Sequence, residues 1–182
     1  MLRAAVAAAA AFAATNVDDL FVLMLLFGQA ANGPERRKIV LGQYLGAALL
    51  TAVSLAGALG VGLFPAGLLR LLGLVPMALG IRAWLKRDGE ETTENSALSV
   101  LGVSALTVSG GGDNIGVYLP LLARMDGGEK TAVVAVFALL CGLWCALGSR
   151  LAVLPAVAKT ISRHKGWLVP AVLVLLGVSI LL

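Results

Sequence analysis

Three aspartates, Asp18, Asp19 and Asp113, lie inside long apolar stretches where a membrane-spanning helix should carry no charge. A charged aspartate at the centre of such a helix costs roughly 2.5–3.5 kcal/mol. Residues 4–35 and 97–123 contain no lysine or arginine, so no salt bridge within those stretches neutralises the carboxylates. A bound cation or protons are therefore the expected partners.

Further oxygen donors flank the aspartates in both stretches. The first motif reads TNVDD at 15–19, and the second reads SGGGDN at 109–114. Carboxylate, amide and hydroxyl oxygens are the ligands that hard divalent cations prefer. The candidate metal ligands are therefore Asp18, Asp19, Asp113, Asn16 and Asn114, with Thr15 and Ser109 as additional candidates.

The three glycines at 110–112 interrupt the second apolar stretch. Together they disfavour a helix by about 3 kcal/mol relative to alanine, so we expect the helix to be broken or tightly packed there. A broken helix at the membrane midplane would expose carbonyl oxygens to an ion cavity. The alternatives are that the glycines serve close helix packing alone, and that hydroxyls and backbone amides satisfy the carboxylates structurally.

Cys141 and Cys145 lie four residues apart and therefore on one face of a helix. Thiolates would select a soft ion such as cadmium, zinc or monovalent copper, so both residues are kept as additional candidate ligands. The commoner situation is that a buried cysteine acts as a small apolar residue.

The composition predicts that all of these residues lie in an all-α membrane protein. Of 182 residues, 59% are hydrophobic and 13% are charged, against about 45–50% and 25% in ordinary soluble domains. The alanine-rich start resembles a signal peptide, but its apolar run continues past Asp19 to Ala31, which favours a first transmembrane helix. Six apolar runs are long enough to span a bilayer, at about 4–31, 39–62, 65–85, 97–123, 131–154 and 166–182.

The basic residues predict the orientation of these helices. Lysines and arginines divide ten against four between the two sides of the membrane. The richer side, which includes Arg36, Arg37 and Lys38, should be cytoplasmic, so both termini should face outward. Because the basic residues form short clusters between apolar runs, their pattern is one of topology and excludes a nucleic-acid partner.

The two halves of the chain show internal similarity within what we expect to be a single transmembrane domain. A shift of 95 residues places Asp18 on Asp113 and Asp19 on Asn114, and a shift of 94 places Gly33 on Gly127. Three spans in each half give the halves opposite orientations, which is typical of an inverted-topology repeat with a midplane binding site. We predict repeat one at 1–87, a cytoplasmic linker at 88–96 and repeat two at 97–182.

Four segments together resemble the cadmium resistance transporter (CadD-type) family of the lysine exporter superfamily. They are ATNVDDLFVLMLLF at 14–27, GQYLG at 42–46, LGLVPMALGIRAW at 72–84 and SGGGDNIGVYLPLL at 109–122. The resemblance implies efflux of divalent heavy-metal ions, with cadmium as the named substrate, across the bacterial plasma membrane. It also implies proton-motive force as the energy source and an ion path formed by Asn16, Asp18, Asp19, Asp113 and Asn114.

The leading hypothesis is a secondary transporter, not an enzyme, that exchanges a divalent cation for protons. Asp18 and Asp113 are the expected direct ligands, and Asp19 is the expected proton carrier. An exporter of a cationic amino acid or other small organic cation is the alternative, and a membrane thiol oxidoreductase using Cys141 and Cys145 is a weaker one. No cofactor is expected, because the metal ion is the substrate, and a homo-oligomeric state stays open.

Overall fold

The structure, a computed structural model, describes residues 1–59 and 98–155, with isolated positions at 74, 77, 78, 81, 171, 174 and 178. The regular structure of this part is helical, as predicted. Its helices are α1 (Leu2–Thr15), α2 (Val17–Gln29), α3 (Gly33–Ala58), α4 (Val100–Gly110), α5 (Gly112–Ala123) and α6 (Gly127–Ala152). The predicted third and sixth spans and the linker at 88–96 lie outside the described residues.

The first predicted span, residues 4–31, is not one continuous helix. Helix α1 ends at Thr15, α2 begins at Val17, and the two axes differ by 60°. Asn16 leaves the helical conformation with φ −118° and ψ 20°. Its backbone and side-chain amides both donate to the Phe12 carbonyl, at 3.0 and 2.8 Å, and so end α1 there. The predicted first span is therefore bent at Asn16 and consists of two helices.

The fourth predicted span, residues 97–123, is broken at the glycines as expected. Helix α4 ends at Gly110, Gly111 leaves the helix, and α5 begins at Gly112. Gly111 is buried, and a β-carbon built on it would overlap the side chain of Leu50 in α3. The glycine run therefore breaks the helix and also allows a close contact with α3.

Helices α3 and α6 begin earlier than the predicted spans because capping residues precede them. The Asn32 side chain accepts from the Glu35 amide at 2.9 Å, and the Asp126 side chain accepts from the Glu129 amide at 2.8 Å. Such caps satisfy amides that the first helical turn leaves free. Arg36, Arg37 and Lys38, predicted to lie in a loop, therefore belong to the first turns of α3.

Two helices in the described part, α3 and α6, are long and apolar enough to cross a membrane. The bent pair of α1 and α2 passes the same test when it is treated as one span, which gives three. The described helices thus have the length and composition of a membrane protein. The tight turn predicted around Gly62–Pro65 falls among the residues that the structure does not describe.

The helices of the two halves correspond in sequence position and in packing. The residues at the two breaks, Asn16 and Gly111, are 95 apart, and both ends of α3 and α6 are 94 apart. Helix α3 packs on α4 and α5, whereas α6 packs on α1 and α2. Leu50 of α3 contacts the break at Gly111, and its counterpart Trp144 of α6 contacts the break at Asn16. Each half therefore supports the broken helix of the other.

Two buried apolar clusters pack around the broken helices. One includes Leu23 and Phe27 of α2 with Val103 of α4, and the other includes Phe12 of α1 with Phe137 of α6. Trp144 is partly buried and contacts both clusters. Trp144 therefore connects the two clusters.

Candidate functional site

The break between α1 and α2 is held by polar contacts from the second half of the chain. Asn16 is 3% exposed, and its Nδ2 atom donates to the Tyr118 hydroxyl of α5 at 2.8 Å. The Trp144 Nε1 atom of α6 donates to the Asn16 carbonyl at 2.6 Å. Because the amide nitrogen of Asn16 is engaged by Phe12 and Tyr118, its Oδ1 atom is left to face Asn114.

Asn114 faces Asn16 across the two halves and has one unsatisfied atom. Its Nδ2 atom lies 3.5 Å from Asn16 Oδ1, the long limit of a hydrogen bond. Its Oδ1 atom is buried and has no hydrogen-bond partner in the described part of the chain. Leaving a buried acceptor unpaired costs about 1–3 kcal/mol. A cation bound here would satisfy that oxygen.

The three aspartates differ in exposure. Asp18 in the first turn of α2 and Asp113 in the first turn of α5 are both exposed. Asp19 is partly buried, and its Oδ2 atom accepts from Gln43 Nε2 of α3 at 3.0 Å. Each carboxylate lies close enough to the others for electrostatic repulsion. The described residues nevertheless form no group of three or more His, Cys, Asp or Glu side chains that could hold a metal ion.

A second hydrogen-bond chain connects Asp19 to α4. Gln43, which is 4% exposed, donates to Asp19 through Nε2 and accepts the Thr107 hydroxyl through Oε1 at 2.7 Å. This arrangement fixes the orientation of the Gln43 amide, since each end has a partner of the matching kind. Asp19 is therefore tied to α3 and α4, whereas the Asp18 and Asp113 side chains remain accessible.

The additional candidates from the sequence have unequal places in this site. Thr15 donates to the Ala11 carbonyl at 3.0 Å and lies 3.2 Å from the Tyr118 hydroxyl, so it belongs to the network around Asn16. Ser109 is buried and donates to the Leu106 carbonyl of its own helix. Within the described residues no hydrogen bond links Ser109 to an aspartate.

Cys141 and Cys145 are buried, free thiols on α6. They belong to different apolar clusters, Cys141 with Phe12 and Phe137, and Cys145 with Leu23 and Phe27. Neither is joined to an aspartate by a hydrogen bond in the described part of the chain. Their surroundings are those of apolar core residues.

Sequence reasoning missed four polar side chains that build the site, namely Gln43, Thr107, Tyr118 and Trp144. Gln43 stands in the middle of an apolar helix, where a buried amide requires partners for the same reason as a buried carboxylate. That signal was available in the sequence. Tyr118 follows Asn114 by four residues and so shares its helix face, whereas nothing local indicates that Thr107 or Trp144 reaches the site.

The combined arrangement places oxygen donors from both halves around two helix breaks. Asn16, Asn114 and Tyr118 are buried between the halves, and the Asp18 and Asp113 carboxylates begin the helices that follow the breaks. Amide, hydroxyl and carboxylate oxygens suit a divalent cation.

Comparison with known proteins gives one match. A protein-family model described as "Cadmium resistance transporter" matches residues 12–182. The matched range contains both helix breaks, all three aspartates and Gln43. Neither the comparison with curated proteins nor the comparison with solved structures gives a match.

Proposed function

Because the chain belongs to the cadmium resistance transporter family, we propose that it exports a divalent heavy-metal ion from a bacterial cell in exchange for protons. The observation that carries the proposal is the unsatisfied Oδ1 atom of buried Asn114, whose Nδ2 atom donates to Asn16 where the two broken helices meet. A transported cation would be coordinated by this oxygen and would neutralise the carboxylates beside it.

We further propose that the protein has six transmembrane helices in two inverted repeats, 1–87 and 97–182, joined by a cytoplasmic linker at 88–96. Three findings support this arrangement: the matching positions of the breaks, the identical 94-residue offset of α3 and α6, and the reciprocal packing of the halves. The N-terminal amine lies 3.7 Å from Glu129, which puts it on the same side as the start of α6. This supports the proposal that the N-terminus and the start of α6 face outward together.

The proposed metal ligands are Asp18, Asp113, Asn16 and Asn114, with the Thr15 hydroxyl nearby. The last carbonyls of α1 and α4 are freed at the breaks and add oxygen atoms of partial negative charge. Asp19 is the proposed proton carrier, because its hydrogen bond to Gln43 leaves it less available to a metal than the exposed Asp18 and Asp113.

Transport in proteoliposomes with a pH-sensitive dye in the lumen tests this function. A gradient of cadmium, zinc or manganese should drive metal across the membrane and protons in the opposite direction, because both compete for the same carboxylates. Lysine and arginine, tested in parallel, should drive neither flux. Metal transport without a change in lumenal pH would contradict proton exchange. Transport of lysine instead of metal would contradict the proposed substrate.

Gln43 is expected to matter for transport although it is not a metal ligand in this proposal. Gln43→Leu removes the donor to Asp19 and the acceptor for Thr107, and the loss of a hydrogen bond to a charged group corresponds to about a 10- to 100-fold effect. We expect the initial rate of metal transport to fall by at least about tenfold.

Thr51→Val is the matched control for that substitution. Thr51 lies on the same helix, and its hydroxyl donates to the Ala47 carbonyl of its own helix. Its rate should stay within about twofold of wild type, because a valine retains the shape of threonine and loses one local hydrogen bond. Equal rates for Gln43→Leu and Thr51→Val would show that the contact with Asp19 has no part in transport.

A further inference from the structure

Helices α3 and α6 enclose two grooves, one on each side of a central contact. At the contact, the Tyr44 hydroxyl donates to the Ala138 carbonyl at 3.0 Å and lies against Gly142. The first groove, here called the arginine groove, has a volume of about 590 Å³ and is lined by Arg36, Arg37, Val40 and Tyr44 of α3 with Gly142 and Ser149 of α6, among others. The second groove has a volume of about 260 Å³.

The two grooves are counterparts in the internal repeat. A shift of 94 residues carries Val40 of the arginine groove to Val134 of the second groove, and carries Leu55 of the second groove to Ser149 of the arginine groove. The counterparts of the two arginines are Lys130 and Thr131, and neither lines the second groove. The arginine groove thus differs from its counterpart in being larger and in carrying two positive charges at one end.

The charges of Arg36 and Arg37 are not neutralised by the described residues. The ion pair in this part of the chain joins the N-terminus to Glu129. Glu35, next to Arg36 in sequence, accepts from the Ala31 amide and the Asn32 side chain, and so serves the cap of α3. Arg36 is partly buried, so an anion that reaches this end of the groove would meet a partly desolvated guanidinium group.

The groove has the polarity of an amphiphile. Its walls beyond the arginines are mostly apolar, with Val40, Leu41 and Ala146 among them. Arg36 and Tyr44 are eight residues apart on α3, which is about 12 Å of helix. That length accommodates the first part of an acyl chain below a headgroup. Guanidinium groups bind phosphate oxygens in a bidentate manner, which an ammonium group cannot do.

We propose that the arginine groove binds an anionic phospholipid of the cytoplasmic leaflet. Its phosphate contacts Arg36 and Arg37, and one acyl chain lies between α3 and α6 and ends near Tyr44. A second copy of this chain is the poorer fit, because the carboxylates of Glu35, Asp126 and Glu129 already serve helix caps. The assignment depends on the predicted membrane orientation and not on metal export.

Native mass spectrometry of the full-length, delipidated protein titrated with phosphatidylglycerol or phosphatidylcholine tests the assignment. Wild type should bind phosphatidylglycerol more tightly than phosphatidylcholine. At about 1 kcal/mol per basic residue near an anionic lipid, Arg36→Gln/Arg37→Gln should weaken phosphatidylglycerol binding about 30-fold. Phosphatidylcholine binding should weaken less, because the choline ammonium group offsets the charge of its phosphate. Lys130→Gln, at the counterpart of Arg36, is the control and should bind both lipids as wild type does.

Three results would overturn the proposal. Full affinity of the double variant for phosphatidylglycerol would show that the arginines do not bind the phosphate. Displacement of phosphatidylglycerol by inorganic phosphate would show that the ligand is free phosphate rather than a lipid. Conversion of a wild-type dimer into a monomer by the double variant would assign the groove to a second copy. Arg36→Lys/Arg37→Lys, which preserves charge, should bind with intermediate affinity and guards against a misfolded variant.

Discussion

Replacing Asp113 by asparagine is expected to abolish metal transport, and Asp18→Asn should do the same. Both side chains are exposed in the first turn of a helix that follows a break, so an isosteric amide should leave the fold intact. The change removes the negative charge that pairs with a divalent cation, and we expect transport to fall by at least about 100-fold, or roughly 2.7 kcal/mol. Initial rates in proteoliposomes, corrected for the amount of folded protein, measure it.

Asp126→Asn is the matched control for these substitutions. Asp126 caps α6 through its side-chain oxygen, and asparagine caps a helix about as well as aspartate. This variant should therefore transport at the wild-type rate. Undiminished transport by both Asp18→Asn and Asp113→Asn would eliminate the proposed mechanism, because no other exposed carboxylate follows a helix break in the described part of the chain.

Asp19→Asn distinguishes the two roles assigned to the carboxylates. Since Asp19 is held by Gln43 rather than exposed, its neutralisation should preserve metal binding and remove the accompanying pH change. Calorimetric metal binding and lumenal pH, measured on the same protein, separate these quantities. Loss of metal binding in Asp19→Asn with retention in Asp18→Asn would reverse the assignment of ligand and proton carrier.

The two breaks show what could be predicted from local sequence. The break at Gly111 was expected, because three glycines weaken a helix whatever surrounds them. The break at Asn16 was not, because one asparagine in an apolar run is only mildly unfavourable to a helix. It depends on Tyr118 and Trp144, which lie 102 and 128 residues away in sequence and bond to the side chain and carbonyl of Asn16.

The candidate ligands likewise include features that local sequence predicts and features that depend on contacts between distant residues. The cost of a buried charge pointed to the aspartates, and adjacent amides pointed to Asn16 and Asn114, which the structure brings together. The link from Asp19 through Gln43 to Thr107 joins three helices, so it follows from packing and not from spacing. The starts of α3 and α6 could have been predicted from the sequence, because N-x-x-E at 32–35 and D-x-x-E at 126–129 are both capping patterns.

The close packing of α3 on α4 is expected to be the most sensitive contact for folding. A β-carbon on Gly46 would lie 2.6 Å from Thr107 Cβ, and one on Gly42 would lie 2.6 Å from Val103 Cβ and 2.7 Å from the Val100 carbonyl. These neighbours are Cβ and backbone atoms, so a rotamer change cannot relieve the overlap. Gly42 and Gly46 form the small-xxx-small pattern that lets membrane helices approach closely.

Gly42→Ala and Gly46→Ala should therefore each destabilise the protein by about 1–3 kcal/mol, the usual effect of overpacking. Thermal unfolding of the detergent-solubilised protein measures this. Gly116→Ala is the control, because a β-carbon there meets nothing within 4 Å, and its melting temperature should not fall.

Gln43 lies between the two glycines, so separating α3 from α4 should also lengthen its bond to Thr107 and lower transport in the protein that stays folded. A Gly46→Ala variant with wild-type melting temperature and transport would mean that α3 and α4 are not in close contact in the membrane, and the Gln43 connection to Asp19 would then lose its basis.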